Sequence, residues 1–247
     1  MATTAEPRSR SSNGNAAEFD QWRSSTRVFL QPIAAPSVLG LFGFAAATFM
    51  VATNLAGWYG NANSGVFLFP FAATFGGIAQ FAAGLWAYKA RDALATAMHG
   101  MWGAFWMAYG ILWLLVAVHD VTLPAGKFPE LAFWFFPLAA ITLSGMLASI
   151  GENLGITATL GTLATGAAFL GVGYLTGIHG WLSAGGWVLF ASSICAFYTA
   201  SAMMWKASFR RVVLPLGVPK KQANIPGAEF THPLEYHWGE PGVRQGQ

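Results

Sequence analysis

The chain has 247 residues, of which 13 are Lys or Arg and 10 are Asp or Glu, so charged residues make up 9%, against roughly 25% in an ordinary soluble domain. Hydrophobic residues reach 55% and aromatics 15%, which excludes a disordered chain and a water-soluble globule. The net charge of +3, with no basic stripe outside the termini, argues against a nucleic-acid binder. The composition is that of an integral membrane protein.

Residues 1–35 are polar and Arg/Ser-rich, and are expected to form a disordered cytoplasmic tail. From Ser37 six apolar stretches follow, at roughly 37–57, 65–87, 93–118, 130–150, 156–177 and 182–205. Each approaches or exceeds the ~20 residues that a helix needs to cross a bilayer. Open chains can satisfy their backbone there only as helices, so the predicted fold is an all-α six-transmembrane-helix bundle over residues 36–211. Gly57–Ser64, Lys89–Asp92, His119–Pro129, Gly151–Gly155 and Gly177–Gly180 are turn-forming breaks between spans. Pro215 ends the last helix, and residues 212–247 form a cytoplasmic C-tail whose aromatic stretch 229–238 is expected to dock on protein.

Lys and Arg set the orientation. With both termini inside, Arg8, Arg10, Arg23, Arg27, Lys89, Arg91 and every basic residue from Lys206 onward are cytoplasmic, leaving Lys127 outside. The expected location is a cell membrane crossed six times, with both termini in the cytoplasm.

The charged residues between Ser37 and Trp205 are Lys89, Arg91, Asp92, Asp120, Lys127, Glu130 and Glu152, and all lie in or beside breaks. A mid-helix acid, the usual sign of a proton relay, is missing. His99, His119 and His179 read as interfacial or loop residues; a haem would need two at one depth, for which only His119 and His179 qualify. Cys195 reads as a small buried hydrophobe. No metal or cofactor motif occurs, and no enzyme activity is expected. Trp58, Tyr59, Trp86, Tyr88, Trp134, Trp181 and Trp205 lie near span ends, as interfacial aromatics do. Trp102, Phe105 and Trp106 lie deeper and do not fit that pattern. Gly40, Gly43, Gly76, Gly77, Gly84 and Gly166 suit close helix packing, within the chain or between copies of it. Neutral groups such as Thr48, Gln80, Tyr109 and Tyr174 remain to line a path for a small solute.

Four stretches carry a resemblance. Ala35-Pro36-Ser37-Val38-Leu39-Gly40-Leu41 resembles the Asn-Pro-Ala-Pro-Leu-Gly-Leu signature of the acetate uptake transporter family, the GPR1/FUN34/YaaH family. Gly76-Gly77-Ile78-Ala79-Gln80, with Ala83-Gly84 and Tyr88-Lys89, is similar to its second-helix motif, and Gly103–Trp106 and Val213–Gly217 also match. The resemblance implies a homo-hexameric ring with one pathway per protomer. It also implies an apolar constriction of a Phe, a Tyr and a Leu, at positions Phe44, Trp102 and Leu163 here. The signature Asn is Ala35, its second Pro is Val38, the constriction Tyr is Trp102, and an acid usual before the second-helix Tyr is Ala87. Phe44, Trp102 and Leu163 each lie seven to nine residues from the cytoplasmic start of their spans, about 10–14 Å deep. Gln80 falls near that depth and is expected to make a polar contact, with Phe105 close by.

The implied function is transport of small monocarboxylates, acetate first and succinate as a further candidate, coupled to protons. Helix N-termini near Pro36 and Gly155 are candidate carboxylate sites. The alternatives are a passive acetate or ammonia channel, a membrane haem protein and a non-transporting scaffold.

Overall fold

A computed structural model describes residues 33–61 and 63–219. The proposed N-tail disorder and the docking of stretch 229–238 lie outside the described residues. Helix α1 (Pro36–Leu55) is followed by α2 (Ser64–Phe71), a π-helical segment (Ala72–Ala79) and α3 (Gln80–Ala90), which together make one span. Then come α4 (Ala93–Ala117), α5 (Pro129–Ser149), α6 (Leu154–Thr176) and α7 (His179–Phe209). Among the described residues six spans are long and apolar enough to cross a membrane, and these residues form no β-sheet.

The helix starts follow from local chemistry. Proline opens α1 and α5, where a missing N–H costs nothing. Asp92 caps α4 by accepting the Ala95 N–H at 2.8 Å. Gly177 closes α6 in the left-handed conformation, with φ of 74°. At 31 residues, α7 exceeds the expected 182–205 at both ends; its length of about 46 Å surpasses the hydrocarbon thickness.

The second span departs from the single regular helix expected over 65–87. Pro70 cannot donate its backbone nitrogen, and the ladder after it widens to π geometry up to Ala79. Thr74 Oγ1 caps the Pro70 carbonyl at 2.8 Å. The widened turn carries Gly76 and Gly77, and α1 presses against it: a Cβ on Gly43 would come 2.4 Å from the Phe75 carbonyl oxygen.

The N-terminus of α6 also differs from expectation. Leu154 and Gly155 donate their N–H groups to the Gly217 and Leu216 carbonyls, at 3.2 and 3.1 Å. The Ile156 N–H goes to Asn153 Oδ1 at 2.9 Å, and the N–H of Asn153 itself goes to the Ser149 carbonyl at 3.1 Å. All four free donors of this helix start are therefore taken, and a carboxylate near Gly155 finds none. The beginning of the expected C-tail is thus structural. It folds back on α6 and is pinned a second time where Tyr198 Oη donates to the Pro215 carbonyl at 2.7 Å. Asn153→Ala should lower the thermal midpoint of the solubilised protein, by a cost of about 1 kcal/mol, whereas Asn153→Asp, which keeps the acceptor, should not.

Helix α1 packs against α7 on one side and against the π segment and α3 on the other. Helices α5, α6 and α7 pack extensively in sequence, as do α3 and α4, while α4 and α5 touch only briefly. Lys89, Arg91, Lys206, Arg210 and Arg211 mark one end of the bundle, where α1, α4 and α6 begin; Lys127 marks the other. Large apolar side chains such as Phe67, Phe133 and Leu147 face outward, a surface suited to lipid or to other apolar partners.

Candidate functional site

Phe44 from α1, Trp102 from α4 and Leu163 from α6 are each no more than 3% exposed and belong to one apolar core. The Phe44 and Trp102 rings meet edge to face, with centroids 6.2 Å apart. The Trp102 indole is held in place, because its Nε1–H donates to Thr142 Oγ1 on α5 at 2.9 Å. Thr142 in turn donates to the Leu138 carbonyl at 2.6 Å. Phe105 stands edge-on to Trp102 with centroids 5.3 Å apart.

Two small cavities flank this level. One, about 30 Å³, is lined by Trp102 and Leu163 together with Thr48, Phe105, Trp106 and Tyr174. The second, also about 30 Å³, lies toward the basic end and is lined by Leu41, His99 and Leu160 with Asp92 and Glu152. Leu41, His99 and Leu160 each precede Phe44, Trp102 and Leu163 by three residues, close to one helical turn. The aromatic level stands between the two cavities.

The first cavity has unused hydrogen-bonding capacity. Thr48 Oγ1 and Trp106 Nε1 are both buried and have no hydrogen-bond partner. An indole N–H only donates, and a threonine hydroxyl can donate, so two of the residues around this apolar chamber carry a buried donor without an acceptor. Trp106 owes its position to the π segment: a Cβ on Gly76 would lie 2.6 Å from the indole. The sequence places Trp106 deep in its span, but not in a polar role. The signal available was a donor-bearing aromatic four residues from Trp102 on a helix that also carries Tyr109.

Residues 22–218 match the profile of the GPR1/FUN34/yaaH family. The chain belongs to that family. The succinate-acetate/proton symporter SatP of Escherichia coli K12 is 26% identical over 187 residues, covering 75% of this chain and 96% of the relative. An uncharacterised protein of Methanothermobacter thermautotrophicus is 27% identical over 206 residues, covering 78% of this chain and 96% of its own. The solved structure of the bacterial acetate channel SatP superposes with a TM-score of 0.69 at 23% identity, over 75% of this chain and all of the other. Like its relatives in the family, this is a multi-pass membrane protein with six apolar helices.

The family's signature residues divide by face. Gly40 and Leu41 point into the bundle, whereas Ala35 and Leu39 are exposed and Pro36 is half-buried. Of these, only Leu41 lines either cavity. Gln80 is buried at the start of α3, beside Gly43, and its Oε1 has no partner; it lines neither cavity. His99 is not interfacial as expected. It is 5% exposed, with its ring laid across Gly40, where a Cβ would come within 2.5 Å of it; the absent side chain on α1 is the slot that admits the imidazole. His119 and His179 are exposed at helix ends. Trp58, Tyr59, Trp86, Tyr88, Trp134, Trp181 and Trp205 all face outward, while Trp102 and Trp106 are buried.

Proposed function

We propose that the chain carries small carboxylates, acetate first and the dicarboxylate succinate as a further substrate, across a cell membrane. Each protomer of a homo-hexamer supplies its own pathway, with Phe44, Trp102 and Leu163 as the apolar constriction. The reading rests on one observation above the others: two residues that line the cavity beside this level, Thr48 and Trp106, carry buried polar atoms without a hydrogen-bond partner, and a carboxyl group supplies acceptors for donors of this kind. The excess of Lys and Arg at the basic end supports a reading in which that end, and both termini, are cytoplasmic. The names of the relatives support acetate as the solute.

Acetic acid has a pKa of about 4–5, so at neutral pH nearly all of it is anionic. An anion crossing the Phe44, Trp102 and Leu163 level would lose its hydration without a compensating charge, a cost the neutral acid avoids. Transport is therefore coupled to protons, with the proton travelling on the substrate.

Proteoliposomes loaded with the purified chain test this. Labelled acetate uptake should rise as external pH falls and should collapse on addition of a protonophore. Flux that tracks the acetate anion and ignores the proton gradient would overturn the coupling. A steady acetate-borne single-channel current would replace the carrier with a channel.

A further inference from the structure

We infer that the cavity lined by Asp92, His99 and Glu152 is a proton-exchange site, where a small carboxylic acid passing the Phe44, Trp102 and Leu163 level gains or loses its proton. The inference rests on the transport reading above and gives it a chemical step within the protein.

The placement carries the argument. Asp92 comes from the junction before α4, His99 from α4 and Glu152 from the turn before α6, and the topology brings all three to one small cavity. The rest of the polar wall is neutral, with Ser37 from α1 and Thr159 from α6. Arg91, the residue before Asp92, and Lys89, three before it, carry the positive charge nearest along the chain. His99 is nine-tenths buried and more, and its Nδ1 has no hydrogen-bond partner. Three residues further along the same helix is Trp102, about 4.5 Å along the axis. Glu152 is exposed and is also one of the residues that line the cavity. A proton can therefore pass between bulk water and the edge of the apolar level over one side-chain cluster.

The electrostatics fit a proton better than an anion. Two carboxylates repel an entering acetate but attract a proton. Burial first, and the nearby Asp92 charge second, raise the Glu152 pKa above the ordinary carboxylate value, so Glu152 holds its proton to a higher pH than a free carboxyl does. Asp92 is committed to the Ala95 N–H as the α4 cap, which leaves Glu152 as the exchanging group and His99 as the group nearest the constriction.

The step balances without any co-reactant. A neutral acid arriving past Trp102 gives its O–H proton to the Glu152 carboxylate, through His99 or directly, and departs as the carboxylate anion. Glu152 then releases the proton to water at the basic end. Export runs the same transfers in reverse.

The test uses the full chain in proteoliposomes, with wild type, Glu152→Gln, His99→Phe and, as a control remote from the cavity, Asp120→Asn. In wild type and Asp120→Asn, an imposed proton gradient should stimulate labelled acetate uptake. In Glu152→Gln and His99→Phe that stimulation should fall about tenfold or more, within the range of a lost proton-transfer group. Monodisperse elution of the variants establishes that they fold. In parallel, infrared difference spectra of the acetate-free protein across a pH step should show a carboxyl C=O band in wild type that is missing in Glu152→Gln. If wild type shows no acetate uptake, the transport reading fails. If wild type is gradient-driven and both variants respond like it, or if no carboxyl band disappears in Glu152→Gln, the exchange site is overturned and transport stands.

Discussion

Trp102→Ala should admit acids larger than acetate into the uptake pathway and should lower the thermal midpoint of the protein. Trp102 is 3% exposed and stands between the two cavities, with Phe44 at its edge and Leu163 on the same cavity wall. Removing the indole enlarges the chamber of about 30 Å³ that it lines, by the volume the ring had filled. Truncating a buried Trp costs about 3–5 kcal/mol. The cost should not be raised further by an orphaned hydroxyl, because Thr142 keeps its bond to the Leu138 carbonyl. Trp102→Phe separates the two effects. It keeps an apolar ring at this level and loses the Nε1 bond to Thr142, so acetate selectivity should survive with a stability loss of about 1 kcal/mol. The measurement is competition of labelled acetate uptake by propionate, butyrate and longer acids. An unchanged competition series in Trp102→Ala would remove Trp102 from the constriction.

Gly43→Ala should be the most damaging single methyl group in the first span. The new Cβ would sit 2.4 Å from the Phe75 carbonyl oxygen and 3.3 Å from its carbon. Both atoms are backbone, so neither can rotate away as a flexible side chain would. Helix α1 and the π segment must separate, and Phe44, the next residue, moves with them. Overpacking of this kind costs about 1–3 kcal/mol or more. Gly100→Ala is the matched control: nothing lies within 4 Å of its Cβ position, and alanine in a helix interior is favoured over glycine by up to about 1 kcal/mol. Thermal stability followed by size-exclusion should therefore fall for Gly43→Ala and hold or rise for Gly100→Ala. Equal midpoints would mean that α1 and the π segment are less tightly apposed than described.

The spans and their breaks were legible because membrane helices announce themselves locally, through runs of apolar residues that need no knowledge of neighbours. The outward Trp and Tyr residues and the buried Trp102 and Trp106 were separable for the same reason, by distance from a span end. What depended on tertiary contact was not legible. Pro70 and the Gly76-Gly77 pair were visible, but their joint effect, a widened helix that seats Trp106, needs the facing Ala47 and Gly43 to be known. His99 reads as interfacial from its position, yet the missing side chain of Gly40 on another helix draws it inside. Leu216 and Gly217 look like the start of a tail because nothing in their sequence reveals that the free N–H groups of α6 are waiting for them. The Asp92, His99 and Glu152 cavity was missed because its members are far apart in sequence and each sits at or near a break.

The brief contact between α4 and α5 has a mechanical consequence. In a bundle whose other sequential neighbours interlock along much of their length, this is the fault line, the place where relative displacement breaks the least. Few ties cross it: the 2.9 Å bond from the Trp102 indole to Thr142 and the tilted pair Phe105 and Phe135, with ring centroids 5.3 Å apart, are two of them. A single hydrogen bond of this kind contributes about 1 kcal/mol net. The Trp102 ring is thus fastened to the opposite bank by an interaction comparable to thermal energy, so the latch on the weakest joint and the proposed constriction are one side chain.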